Sequence, residues 1–205
     1  MTRLLIATTN PNKVREIREL LAGLPVDLLG LDAFPPVTEP EETGDTFQAN
    51  ARLKAIYYAN AFGAQLRAAP ALVVAEDSGL EIDALDGEPG IRSARFLGAT
   101  ASYPDRFAEI FRRLHARPDR PRTARFVCAL AVVRDGDVVF ETKGTVEGEI
   151  ADAASGTRGF GYDPIFLYPP YGRTLADVND AEKLRVAHRG HAFRQLGEWL
   201  KSGAT

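Results

Sequence analysis

An apolar run, Leu72 to Ala75, passes without a break into Glu76 and Asp77 and then into Ser78 and Gly79. Four aliphatic residues in a row read as a strand buried on both faces. Such a strand should not end in adjacent carboxylates, because desolvating a carboxylate is expensive unless a positive partner compensates it. Whatever the chain folds into must therefore bring a cation to Glu76 and Asp77.

The flanking segments alternate strand and helix patterns. "RLLIAT" reads as a short buried strand, and "NKVREIRELLAGL" follows with Val14, Ile17, Leu21 and Leu24 at helical spacing. After an irregular proline-rich stretch from Phe34 to Pro40, a second helix is expected from Asp45, which has capping-box spacing to Gln48. Its apolar side carries Phe47, Ala51, Ala55, Tyr58 and Phe62. "PDRFAEIFRRLHARP" predicts another helix between Pro104 and Pro118. The segment 122–150 predicts two long strands joined at Asp135-Gly136, a strong hairpin signal. "IFLY" predicts a short strand, and "NDAEKLRVA" and "GHAFRQLGEWLKS" predict closing helices. This order implies an α/β protein with loops at strand ends forming a cleft.

The 205 residues suffice for one sizeable core, or one core with a smaller lobe, here expected to include the 122–150 hairpin. No apolar run approaches the roughly 20 residues of a membrane span, and the N-terminal segment lacks the pattern of a signal peptide. A cytoplasmic protein is expected. The single cysteine, Cys128, reads as a small core residue. With 25 Lys and Arg against 28 Asp and Glu, the net charge of -3 argues against general nucleic-acid binding. Phosphate chemistry would need a local basic cluster or a bound metal.

Five segments could carry chemistry. The turn Thr8, Thr9, Asn10, Pro11, Asn12, Lys13 offers hydroxyls, amides, a helix start and a charge, together an anion-binding turn. It is not a Walker A loop. In "EPEETGDTFQANARLKA", acidic residues precede a helix on which Asn50 and Lys54 share one face. In "EDSGL", hard oxygen ligands held at a strand end suit Mg²⁺. "GTRGFGYDP" sets glycines around Phe160 and before Tyr162, so that backbone approaches a ligand closely and an aromatic ring offers a stacking face for a base. "EKLRVAHRG" puts Lys183, His188 and Arg189 within seven residues.

In this order, the motifs "ATTNPNK", "EETGDTFQANARLKA", "EDSGLEIDALDGEPGIRSARF", "GFGYDPIF" and "HRG" resemble the inosine/xanthosine triphosphate pyrophosphatase family over nearly the whole chain. The resemblance implies a single domain, 1–205, of α/β fold: an elongated mixed β-sheet flanked by helices, two lobes around a central nucleotide-binding cleft, and commonly a homodimer. It implies Mg²⁺-dependent cleavage of ITP, dITP and XTP to monophosphate and pyrophosphate. Asp77 would be the general base. Thr8 to Lys13, Asn50, Lys54, Ser78, Phe160, Gly161, Tyr162, Asp163, Lys183, His188 and Arg189 would bind substrate, and Glu42, Glu76 and Asp77 the metal. Two residues depart from the family pattern. Glu76 stands where the family has a first aspartate, and Ala187 where it has a serine before His-Arg. Base selection would rest on donors from His188, Arg189 or backbone N–H groups aimed at the purine C6 oxygen, since a mismatched buried polar group can discriminate by ~10⁴ or more. A pyrophosphatase for another modified or pyrimidine nucleotide, or a non-catalytic purine sensor, are the alternatives; a sensor has no need of a base beside a metal.

Overall fold

The computed structural model describes residues 2–66 and 71–203. Its elements in chain order are β1 (Thr2–Ile6), α1 (Pro11–Leu20), β2 (Val26–Gly30), α2 (Phe47–Ala61), α3 (Gly63–Leu66), β3 (Ala71–Ile82), α4 (Tyr103–His115), β4 (Thr123–Arg134), β5 (Asp137–Ile150), β6 (Phe166–Tyr168), β7 (Arg173–Thr174), α5 (Asp180–Val186) and α6 (His188–Lys201), with short 3-10 turns between some of them. One mixed sheet runs β2-β1-β3-β4-β5-β6-β7. β1 pairs in parallel with β2 and with β3, whereas β6 is antiparallel to both β5 and β7. The α/β class with a mixed sheet agrees with the sequence reading.

The chain forms two compact units. The first comprises residues 1–77, 128–144 and 189–205, and the second 78–127 and 145–188. Residues 128–144 of the β4–β5 hairpin fall in the first unit and its remaining residues in the second.

The first unit buries apolar side chains on both faces of its sheet. Leu4, Ile6, Leu72 and Val74 meet Ile17 of α1, Leu21 at the end of that helix, and Phe193 and Leu196 of α6. The intervening Leu5, Val73 and Ala75 meet Ala51, Ala55, Tyr58 and Phe62. This two-sided burial is the reason β1 and β3 read as continuous apolar runs rather than alternating ones. The second unit packs Leu80, Ile82, Phe107, Ile110, Phe126, Ile165 and Phe166 into its own core.

Three elements differ from expectation. β3 does not stop at the acids but continues through Glu76, Asp77, Ser78 and Gly79 to Ile82. α2 is capped by Thr46, whose hydroxyl accepts from Ala49 N at 3.0 Å, and not by Asp45. β2 at Val26–Gly30 carries no strong strand signal, because Asp27 interrupts its apolar run. Among the described residues no helix is long and apolar enough to cross a membrane.

Candidate active site

Because successive side chains of a strand point to opposite faces, Glu76 and Asp77 leave β3 in opposite directions and meet different partners. Glu76 is 2% exposed. Its Oε1 accepts from Lys13 Nζ at 2.8 Å and from Arg189 Nη2 at 3.1 Å, and its Oε2 lies 3.3 Å from Cys128 Sγ. Arg189, 1% exposed, also gives Nη1 to Glu16 Oε2 at 2.6 Å. Burial alone would push Glu76 up, but Arg189 and Lys13 outweigh it and hold the carboxyl well below the usual range. The cations that the sequence demanded for Glu76 thus come from the chain itself. Burial and the neighbouring Glu76 charge push the Cys128 thiol well up, so it is a core residue with a weak donor rather than a nucleophile.

Asp77 faces α2 and the loop before it. Asn50, fully buried, donates from Nδ2 to Asp77 Oδ2 at 3.0 Å, and its Oδ1 accepts from Gly44 N at 2.8 Å. That pair of bonds fixes which way the carboxamide points. A Cβ at Gly44 would lie 2.7 Å from Asn50 Oδ1, so only glycine allows this approach. Lys54 Nζ bonds Glu42 Oε1 at 2.7 Å and lies 3.4 Å from Asp77 Oδ1. Burial raises the Asp77 carboxyl above its ordinary value, Lys54 opposes that rise, and Glu42 adds to it. A buried carboxylate whose proton affinity is raised is suited to accept a proton.

The turn from Thr8 to Lys13 is organised differently from a simple anion hole. Asn10 caps α1, its Oδ1 accepting from Asn12 N at 3.0 Å and Lys13 N at 3.3 Å. Val14 N bonds Asn10 O, and Pro11 has no N–H. The helix-start amides expected to face an anion are therefore spent within the turn. The Thr8 and Thr9 hydroxyls and the Lys13 ammonium remain the groups with which this turn can meet phosphate.

In the second unit, Asp163 organises the glycine-rich loop. Its Oδ2 accepts from Phe160 N at 2.8 Å and from Lys183 Nζ at 2.7 Å, and Lys183 Nζ sits 4.7 Å from the Phe160 ring centroid. Gly159 has φ +70°, and a Cβ there would lie 2.1 Å from Asp163 Oδ2. At this position the glycine serves the loop's own carboxylate. Tyr162 donates its hydroxyl to Ser93 O at 2.8 Å, a carbonyl also approached by Arg106 Nη1 at 3.4 Å. Tyr103 packs edge-on against Tyr162 at 5.3 Å. His188 stacks on Phe126 at 4.9 Å. Replacing Tyr162 with phenylalanine is expected to lower stability by about 0.5–1.5 kcal/mol through loss of one buried bond, read as a shifted urea midpoint at unchanged slope.

The structure thus brings Asn50, Lys54, Glu42 and Asp77 together, gathers Lys13, Glu76 and Arg189 into an ion network, and joins Phe160, Asp163 and Lys183. Glu76 and Arg189, expected at metal and substrate, are paired with each other and with Lys13 and Glu16. Sequence reading missed Glu16, Ser93 and Arg106. Glu16 alone carried a signal, lying one turn after Lys13 beside the inward Ile17.

Comparison with known proteins places these residues in a family. A model described as "Ham1 family" matches residues 4–199. The chain is 44% identical over 200 residues to a dITP/XTP pyrophosphatase from Geobacter sulfurreducens, covering 98% of this chain and 97% of the relative. It is 43% identical over 194 residues to a dITP/XTP pyrophosphatase from an Exiguobacterium species, covering 95% and 94%. Among solved structures, a HAM1 protein from Coxiella burnetii superimposes with a TM-score of 0.88 at 36% identity, covering 98% of this chain and all of that one. A match of this extent, over a sheet and a charged site of this construction, means that the chain belongs to the Ham1 family.

Proposed function

We propose that the protein is a nucleoside-triphosphate pyrophosphatase that hydrolyses non-canonical purine nucleoside triphosphates, dITP, ITP and XTP, to the monophosphate and pyrophosphate. The observation that carries this reading is Asp77: a buried carboxylate of raised proton affinity, oriented by Asn50 and neighboured by Lys54 and Glu42. Its relatives' activity on dITP and XTP supplies the substrate class.

In this mechanism water adds at phosphorus of the α–β anhydride as Asp77 takes its proton, and the P–O bond to the pyrophosphate breaks. Asn50 holds Asp77 in place through the attack. Lys54, Lys13 and the Thr8 and Thr9 hydroxyls meet the phosphate oxygens, and Ser78 contacts substrate. General-base assistance contributes about 10²–10⁴-fold, so positioning and charge must supply most of the acceleration. In the second unit, Phe160 offers a ring face to the base, Gly161, Tyr162, Asp163 and Lys183 shape and support that loop, and His188, stacked on Phe126, supplies a donor for the base. Arg189 serves by holding Glu76 and Glu16, which frees part of the Lys13 charge for substrate.

The donor set fits a divalent metal such as Mg²⁺. Glu42 and Asp77 turn hard oxygens toward one shared ammonium, and among the described residues no group of three His, Cys, Asp or Glu forms a closed metal cage. One or two carboxylates, with other positions left to water and phosphate oxygens, is the usual Mg²⁺ arrangement. Glu42 and Asp77 would hold the ion, while Glu76 stays with Lys13 and Arg189. When bound, the ion neutralises charge growing on the leaving pyrophosphate. The working form is taken as a cytoplasmic homodimer.

Purified protein with Mg²⁺ should release pyrophosphate from dITP, ITP and XTP well above ATP, GTP and dUTP offered at equal concentration. Absence of release, or a dominant rate with dUTP, would overturn the proposal.

A further inference from the structure

We infer that Lys54 is a built-in counter-ion that occupies the divalent cation's place between Glu42 and Asp77, and that it transfers to a triphosphate oxygen when metal and substrate enter together. The inference rests on the proposed activity and adds to it an order of assembly.

The geometry is simple. One ammonium, on a side chain 13% exposed, stands 2.7 Å from Glu42 Oε1 and 3.4 Å from Asp77 Oδ1. These are the two carboxylates to which the metal is assigned. A divalent ion and an ammonium cannot both sit between the same pair of oxygens, because two positive charges at such separation repel strongly in a site sheltered from water. Metal entry therefore requires Nζ to move. Lysine suits this, being a point charge on a flexible arm.

The anchor of that arm stays fixed. Asn50, one turn earlier on α2, is tied to both Gly44 and Asp77. Tyr57, on the following turn, donates its hydroxyl to Thr38 O at 2.7 Å, pinning the preceding loop. Lys13 and Arg189, the cations at the neighbouring Glu76, are engaged with Glu76 and Glu16.

Charge decides the sequence of events. Glu42 and Asp77 carry two negative charges, and Lys54 is the cation bonded to both. A divalent ion would balance the pair outright and leave the lysine in surplus. Without substrate that surplus opposes the metal; a triphosphate absorbs it. Metal and substrate are therefore expected to strengthen each other's binding, and the free enzyme to hold metal weakly.

Mn²⁺ binding, followed by the electron paramagnetic resonance of the free ion, tests this without turnover. Lys54→Met and Lys54→Gln are each expected to bind Mn²⁺ about 10-fold more tightly than wild type in the absence of nucleotide, while Lys54→Arg stays near wild type. Circular dichroism establishes that each variant is folded. Folded Met or Gln variants that bind Mn²⁺ no more tightly would overturn the inference. The wild-type protein gives an independent reading. Crystals with Mn²⁺ and an α,β-imido dITP should show Nζ off Glu42 and on a phosphate oxygen, and Nζ still bonded to Glu42 beside a bound metal would equally overturn it. Pyrophosphate release by the same wild-type preparation separates the two failures: activity with unchanged Mn²⁺ affinities removes only the role of Lys54, whereas no release removes the proposed function.

Discussion

Arg189→Met is expected to destabilise the protein by about 3–5 kcal/mol, measured by urea unfolding at pH 7, because it strips the guanidinium from two buried carboxylates. Glu16 and Glu76 are 4% and 2% exposed, so water cannot replace what is lost. A loss of this size is a large share of the ~5–15 kcal/mol that a domain has in total. The pH dependence gives a sharper check. In the wild type, Glu76 is held below its ordinary value, so its contribution is present above the unfolded-state value and is lost as pH falls through the folded one. In the variant, burial is less opposed and the carboxyl rises, so that neutral Glu76 is favoured in acid. The difference between the two proteins should be widest near neutrality and narrow as the pH falls. Replacing Glu16 and Glu76 with glutamine in the Arg189→Met background should recover a substantial part of the stability. A variant as stable as wild type at pH 7 would mean that the network contributes nothing to folding.

Asp77→Asn should lower kcat by about 10²–10⁴-fold or more while leaving the protein folded, as measured by pyrophosphate release from XTP under saturating conditions. Asparagine keeps the shape and can still accept from Asn50 Nδ2, but it cannot take a proton from water. Stability should move the other way. Because burial raises the Asp77 carboxyl, the fold disfavours its charged form, and a neutral amide relieves that cost at pH 7. The variant is therefore expected to unfold at an equal or higher urea concentration than the wild type. Activity and stability moving in opposite directions would mark a residue retained for chemistry at the expense of the fold. Wild-type kcat in the variant would remove Asp77 from the role of base.

What the sequence made legible was local. Helices α1, α4 and α6, the β4–β5 hairpin and the short strand near Phe166 were visible because apolar spacing and turn chemistry act within a few residues. β2 was not, since Asp27 breaks its pattern and only its pairing with β1 makes the segment a strand. The extent of β3 was hidden for a related reason. A strand carrying Glu76, Asp77, Ser78 and Gly79 looks finished until the partners of its acids are known. Those partners lie far away in the chain: Arg189 is 113 residues from Glu76 and 173 from Glu16. The demand for positive charge could be argued from two carboxylates on an apolar run, but not whether a metal or the protein's own cations would meet it. For Glu76 the protein meets it. Likewise the glycines around Phe160 suggested close approach to a ligand, whereas Gly159 makes room for Asp163.

The alternation of Glu76 and Asp77 across β3 ties chemistry to the length of a segment as much as to its composition. Strand β3 is locked to β1 by the pairing of Leu4 with Leu72 and Ile6 with Val74. One residue inserted or deleted between Val74 and Glu76 would rotate both acids to the wrong sides, presenting the short arm to Arg189 and the long one to Asn50. A substitution at either acid removes one side chain and leaves the other in place, whereas the insertion or deletion of a single codon in frame misplaces both at once.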